Sequence, residues 1–203
     1  MENQTFESQP LETIPEPAAE QKRGSGFWRF LLDIVETVVL SAILFVGINA
    51  ISARIRVDGF SMEPTLHTGE FVIVNKLAYR LGDPTISDVI VFHYPRDPEQ
   101  EYIKRVIGLP GDHVRIQDGQ VYVNDQSIEE PYISTPPAYQ SDWVVPEDSL
   151  FVLGDNRNNS SDSHTWGPVP MDNVIGKAFF VYWPPDRWGL VDQIVAASAA
   201  QQP

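Results

Sequence analysis

The chain has 203 residues, 42% of them hydrophobic and 11% aromatic, enough for one good-sized core, although the length would also admit two small ones. Its formal net charge of −14 and isoelectric point of about 4.5 leave no basic stripe of the kind that follows a nucleic-acid backbone, so nucleic acid is not an expected partner. With no cysteine there is no disulfide, no thiolate nucleophile and no Cys-ligated metal, and any reaction falls to hydroxyls, amines and carboxylates.

Residues 1–26 are polar and rich in Glu, Gln and Pro, ending in Lys22, Arg23 and a Gly24-Ser25-Gly26 run. Without apolar spacing they read as a disordered tail. Residues 27–53 follow as a membrane-crossing helix. Its cleanest apolar part runs from Thr37 to Ala53, at the short end of a bilayer span, and Trp28 and Arg29 suit the headgroup region at its start. A cleaved signal peptide and a buried core helix are the alternatives; the run is long for the first, and its flanks do not suit the second. Lys22, Arg23 and Arg29 precede the span while Arg54 and Arg56 follow it, a small positive-inside bias toward a cytoplasmic N-terminus.

From residue 54 to about 190 the texture changes to short Val- and Ile-rich runs punctuated by Gly, Pro, Asn and Asp, which reads as strands and turns. Expected strands are Phe71–Asn75, Asp88–His93, Tyr102–Ile107, Val114–Ile116, Val121–Val123, Leu150–Leu153 and Val174–Tyr182, with one helical turn at Leu77–Leu81. Asp118-Gly119 marks a tight hairpin, because primed turns need positive φ. Residues 191–203 read as a frayed C-terminal tail.

Three segments stand out against this β background. Ser61-Met62-Glu63-Pro64-Thr65-Leu66 places a hydroxyl just after Gly59 and close to the membrane exit, although such a stretch alone is an ordinary turn. Tyr102-Ile103-Lys104-Arg105-Val106-Ile107 puts two cations in an apolar strand, where alternation sends them to opposite faces and at most one is expected to point inward. A lysine buried there loses solvation, its pKa falls, and it becomes the neutral amine that a general base must be; an edge strand with two solvated cations is the plainer alternative. The polar loop Gly154-Asp155-Asn156-Arg157-Asn158-Asn159-Ser160-Ser161-Asp162-Ser163-His164 follows an apolar strand and is dense in hydrogen-bonding groups. A Ser-His-Asp triad could draw on His67, His93, His113 or His164, but Gly59-Phe60-Ser61-Met62-Glu63 is not G-x-S-x-G, and no H-E-x-x-H pattern suggests a metal.

In this order and spacing, an apolar span, S-M-E-P-T-L, G-E-F-V-I-V-N-K, Y-I-K-R-V-I-G-L-P-G-D and G-D-N-R-N-N-S-S-D-S, the chain resembles the bacterial type I signal peptidases over about residues 30–185. The resemblance implies a mostly β fold, an antiparallel β-sheet signal-peptidase-like catalytic domain preceded by a single transmembrane helix. It implies a Ser-Lys endopeptidase needing no cofactor, with signal peptides of exported preproteins and membrane lipid as its partners, in a plasma or thylakoid-type membrane. Ser61 matches the nucleophile and Lys104 its base, a coherent pairing because a desolvated amine can take a serine proton without histidine. Ser160 matches a hydroxyl that orients the amine. Asp162 matches the carboxylate expected to pair with Arg105, while Asp155 and Asn156 are expected to shape the turn. Ile55, Val57, Met62 and Ile103 are expected to form shallow substrate pockets. The sequence departs from the family where some members carry a hydroxyl as second oxyanion donor, here Gly59, and where many have arginine, here His164. A self-cleaving repressor of the same chemistry would lack the span, and an inactive peptide-binding module would have no use for Lys104.

Overall fold

A computed structural model describes residues 25–192 of the protein; residues 1–24 of the expected disordered tail 1–26 and 193–203 of the expected frayed end 191–203 lie outside the described residues, while Ser25 and Gly26 open a helix and Val191 is buried in the core rather than frayed. The first element is α1 (Ser25–Ile51). Its Leu, Ile, Val and Phe residues face outward all round, with mean hydropathy 2.3 over its most apolar window and none of that window buried. At about 1.5 Å per residue its length exceeds the ~30 Å of a bilayer's hydrocarbon. The chain divides into two compact units within α1, after Leu44.

The helix ends two residues earlier than the expected span, at Ile51 rather than Ala53. Ser52 and Ala53 belong instead to β1 (Ser52–Arg56), which pairs antiparallel with β2 (Phe71–Asn75) from Ser52 opposite Asn75 to Arg56 opposite Phe71. The Ser52 hydroxyl donates back to the Ile48 carbonyl (2.8 Å), and the Lys76 N–H donates to the Ile51 carbonyl (2.9 Å), so the backbone leaving the helix is captured at once by the sheet.

After the short α2 (Ala78–Leu81) come β3 (Val89–Tyr94) and β4 (Asp97–Gly108), a hairpin, then β5 (His113–Gln117), β6 (Gln120–Val123), β7 (Gln126–Ser127), β8 (Ser141–Val144) and β9 (Ser149–Leu153). The last elements are α3 (Ser163–Trp166), β10 (Val169–Pro170), β11 (Val174–Trp183) and β12 (Gly189–Leu190). The larger sheet runs β1-β2-β11-β3-β4-β9-β10 with β12 against β11; the smaller runs β7-β6-β5-β8, and the pairings are antiparallel. Asp118 and Gly119 both take positive φ (53° and 79°) between β5 and β6, as a two-residue primed turn requires.

Central strands are covered on both sides. All of Ile103 to Gly108 in β4 is buried, Lys104 and Arg105 included, and so is the whole of β9, which explains the continuous apolar run of β9. One apolar cluster, with Val57, Met62, Leu66, Val72 and Val74, lies under the loop between β1 and β2; a second, with Ile107, Val114 and Phe151, joins the two sheets. That first cluster fixes the loop that carries Ser61.

Candidate active site

The loop from Val57 to Glu70 is closed at its base by backbone bonds, Val57 N–H to the Glu70 carbonyl (2.8 Å) and Gly69 N–H to the Val57 carbonyl (2.9 Å). Met62 and Leu66 pin it from below, at 1% and 0% exposure. Gly59 turns it with φ +92°, a region disfavoured for L side chains, and donates its N–H to Thr68 Oγ1 (2.8 Å). That bond occupies the backbone group at the position where the family's extra oxyanion donor would stand. Ser61, half-buried at the turn of this loop, presents its hydroxyl to Lys104 of β4.

On β4, Lys104 lies opposite Ile90 of β3 and is 4% exposed. Its Nζ lies 2.7 Å from Ser61 Oγ and donates to the Ile103 carbonyl at 2.9 Å. Burial pushes the ammonium's pKa down to about 8, against the opposing pull of the Asp162 and Asp155 charges. The amine is therefore substantially neutral near pH 8 and within hydrogen-bond reach of the serine proton. Among the described residues no acceptor engages the Ser61 N–H.

Arg105 is buried too, at 1% exposure, contrary to the expectation that only one of the two cations would point inward. Protein covers both faces of β4 here, so alternation separates the two environments without exposing either. The partner of Arg105 also differs from expectation: it is Asp155, not Asp162. Arg105 donates Nε to Oδ1 (2.8 Å) and Nη2 to Oδ2 (2.6 Å), and Thr65 Oγ1 donates to the same Oδ2 (2.5 Å). The sheet register causes this, because Arg105 pairs with Leu153 of β9 and the chain carries Asp155 straight past it. The guanidinium also stacks 4.0 Å from the Tyr132 ring. Thr65 thereby ties the Ser61 loop to this ion pair.

Asp162 is drawn elsewhere because it caps α3. It accepts the Gly154 N–H (2.9 Å) and the His164 N–H (3.3 Å), and its Oδ1 sits 2.6 Å from His164 Nδ1. His164 in turn stacks on Tyr139 at 3.9 Å between ring centres. The carboxylate thus has the histidine ring as its side-chain hydrogen-bond partner in place of Arg105.

Asn156 does more than shape a turn: its N–H donates to the Ser61 carbonyl (3.0 Å) and its Nδ2 to the Phe60 carbonyl (3.1 Å), clamping the backbone of Ser61. Gly154 permits that approach, since a Cβ there would collide with the Ser61 carbonyl oxygen and with Ser160. Ser160 Oγ is buried and has no hydrogen-bond partner; the expected bond to the Lys104 amine is not made, the amine's contacts being Ser61 and the Ile103 carbonyl.

A cleft of about 660 Å³ opens over Ser61 and Lys104. Of the expected pocket residues, Ile55 and Ile103 line it. Val57 and Met62 do not; they are buried in the cluster beneath, where they anchor the loop. Phe60, Val91 and Tyr102 line it in their place and were not foreseen, although an exposed aromatic beside the nucleophile was a signal available in the sequence.

Residues 31–183 match the family described as signal peptidase, peptidase S26. The chain is 41% identical over 200 residues to signal peptidase I of Leptolyngbya laminosa, covering 93% of this chain and 96% of that one. It is 46% identical over 168 residues to a probable signal peptidase I-2 of a Synechocystis strain, covering 79% and 77%. To thylakoidal processing peptidase 1 of Arabidopsis thaliana chloroplasts it is 37% identical over 182 residues, covering 81% of this chain and 53% of the relative. With a mostly antiparallel β body behind one apolar helix, a hydroxyl and a buried amine in contact, and a family match over most of its length, the chain belongs to the type I signal peptidases and is a peptidase.

Proposed function

We propose that the chain is a membrane-anchored Ser-Lys endopeptidase that removes N-terminal signal peptides from exported preproteins. The observation that supports this best is the 2.7 Å approach of a 4% exposed lysine amine to Ser61 Oγ. The neutral Lys104 amine takes the Ser61 proton as Oγ attacks the scissile carbonyl, and the Ser61 N–H donates to the developing oxyanion. Lys104 returns the proton to the leaving amine, then activates the water that hydrolyses the acyl-enzyme. While protonated, the buried ammonium has three N–H donors to satisfy, and Ser61 Oγ is spent in the acyl bond. The Ile103 carbonyl takes one, and the unpartnered Ser160 hydroxyl is the acceptor we assign to another.

In this reading α1 crosses the bilayer with a cytoplasmic N-terminus, and the body from residue 54 works on the far side, where the apolar segment of a signal peptide ends. The test is incubation of the detergent-solubilised full chain with a preprotein, followed by N-terminal sequencing. Cleavage at the signal-peptide boundary by the native chain and none by Ser61→Ala is the expected result; equal cleavage by both rejects the assignment. Protease added to intact spheroplasts should digest residues beyond 53 and spare the N-terminal segment.

A further inference from the structure

Cations are scarce in this acidic chain, and most of those in its body are committed. Arg105, Arg115, Arg157, Lys177 and Arg187 each pair with a carboxylate, and Lys104 contacts Ser61. Among the described residues Arg54, Arg56, Lys76 and Arg80 have no side-chain hydrogen-bond or ion-pair partner, and of these Lys76 and Arg80 stand together. Both line a second cavity, of about 470 Å³, separate from the cleft over Ser61.

The position of this cavity is informative. One wall includes Ala50, in the last turn of α1, and the Lys76 backbone is bonded to the Ile51 carbonyl at 2.9 Å, so the cations stand at the level where the apolar helix ends. Met171, Val174 and Ile175 make the remaining wall apolar. Tyr79 adds its ring, held in place because its hydroxyl donates to Asp88 (3.0 Å), which is itself paired with Lys177. Asp172 is the carboxylate on the rim, so the fixed charges are two positive against one negative, the reverse of the chain's −14. An ammonium and a guanidinium beside an apolar wall suit a phosphate ester that continues into hydrocarbon.

We propose that this cavity holds the phosphate headgroup of an anionic phospholipid. The proposal rests on the reading of α1 as a membrane span, which would place the cavity at the headgroup level. Juxtamembrane cations are the groups that anionic lipids attract, and two of them make the site selective over a zwitterionic headgroup by about tenfold.

The test uses the full chain in non-ionic detergent, titrated with short-chain phosphatidylglycerol or phosphatidylcholine and read by native mass spectrometry. The native chain should retain phosphatidylglycerol about tenfold better, K76Q/R80Q should lose that preference, and Lys76→Arg should keep it. Preprotein cleavage in detergent should be unchanged in K76Q/R80Q, whose substitutions lie outside the cleft. Inorganic phosphate at equal concentration should not displace the lipid; if it does, the site takes free anions and the proposal fails. Equal retention of both lipids, or a preference that survives K76Q/R80Q, also overturns it. Alkaline carbonate extraction tests the anchor separately: release of the chain from membranes would sink the span reading, while the lipid selectivity in detergent would still decide the site.

Discussion

Lys104 and Arg105 are neighbours on one strand, both almost fully buried, and they resolve the cost of burial in opposite ways. Arg105 keeps its charge because Asp155 meets it through two hydrogen bonds and Thr65 closes the carboxylate's remaining side. Lys104 has no carboxylate in contact; a hydroxyl and a backbone carbonyl are its partners, and desolvation lowers its pKa to about 8. The lesson is that sequence adjacency says little about electrostatic role. A buried cation with a fitted counter-ion stays charged as a strut, and one without is pushed toward the neutral form that a base needs.

The largest effects should come from erasing the difference at position 104. Lys104→Arg places a guanidinium that stays protonated where a base is needed, and Lys104→Met removes the base; each should lower kcat by about 10⁴-fold or more, with Ser61→Ala no worse when combined with either. Preprotein cleavage by purified variants checks this, and substantial turnover by Lys104→Arg would break the comparison. In the native chain kcat/KM should rise with pH along a limb centred at about 8, because the proton must leave Lys104 before catalysis. The sign for stability follows from the same shift. The folded amine binds its proton more weakly than the unfolded one, so the native state gains stability as pH rises from about 8 toward 10.5, and Lys104→Met should flatten that slope in denaturant titrations.

Removing the strut should cost less activity per folded molecule but much more stability. Asp155→Ala leaves the buried Arg105 guanidinium uncompensated and should cost about 3 to 5 kcal/mol. Asp162→Ala should cost less than Asp155→Ala, since Arg105 keeps its partner. Urea unfolding of the two variants side by side checks the assignment, and the reverse order would restore Asp162 as the partner of Arg105. Gly154→Ala lies between strut and base. Its Cβ would push against the Ser61 carbonyl, so it should reduce kcat by about 100-fold, the scale for a roughly 1 Å misplacement of a reacting group, while the chain still folds.

The strands most legible in the sequence were those buried on both faces, Val-Ile-Val-Phe in β3 and Leu-Phe-Val-Leu in β9, whose unbroken apolar runs leave little choice of element. The strand β8, Ser-Asp-Trp-Val with alternating partial exposure, carried no such signal and owes its conformation to pairing with β5. The residues of the candidate site were legible through the order and spacing of motifs that resemble a family, since taken alone Ser61 read as part of an ordinary turn and Lys104 as a solvated cation on an edge strand. Their partners were not. Whether Arg105 meets Asp155 or Asp162 depends on the register that sets Arg105 opposite Leu153, and whether Met62 lines the cleft or lies beneath it depends on how the loop is pinned. Such facts belong to pairing across β4 and β9 and to loop packing, which local pattern does not encode.

Ser160→Ala should have the smallest effect and bears most directly on how Lys104 is held. The Ser160 hydroxyl oxygen is buried without a partner in the resting protein, so its removal strands no donor or acceptor and should change stability by less than about 1 kcal/mol. It does not line the cleft, so KM should hold. If the hydroxyl accepts from the ammonium once Ser61 Oγ is acylated, the loss should appear in kcat, at about tenfold, and Ser160→Thr, which restores a hydroxyl, should recover part of it. Thermal unfolding beside steady-state cleavage separates the cases. A melting temperature lowered by several degrees with normal kcat would make the hydroxyl a structural group, and Lys104 would then depend on the Ile103 carbonyl alone among its protein acceptors after attack.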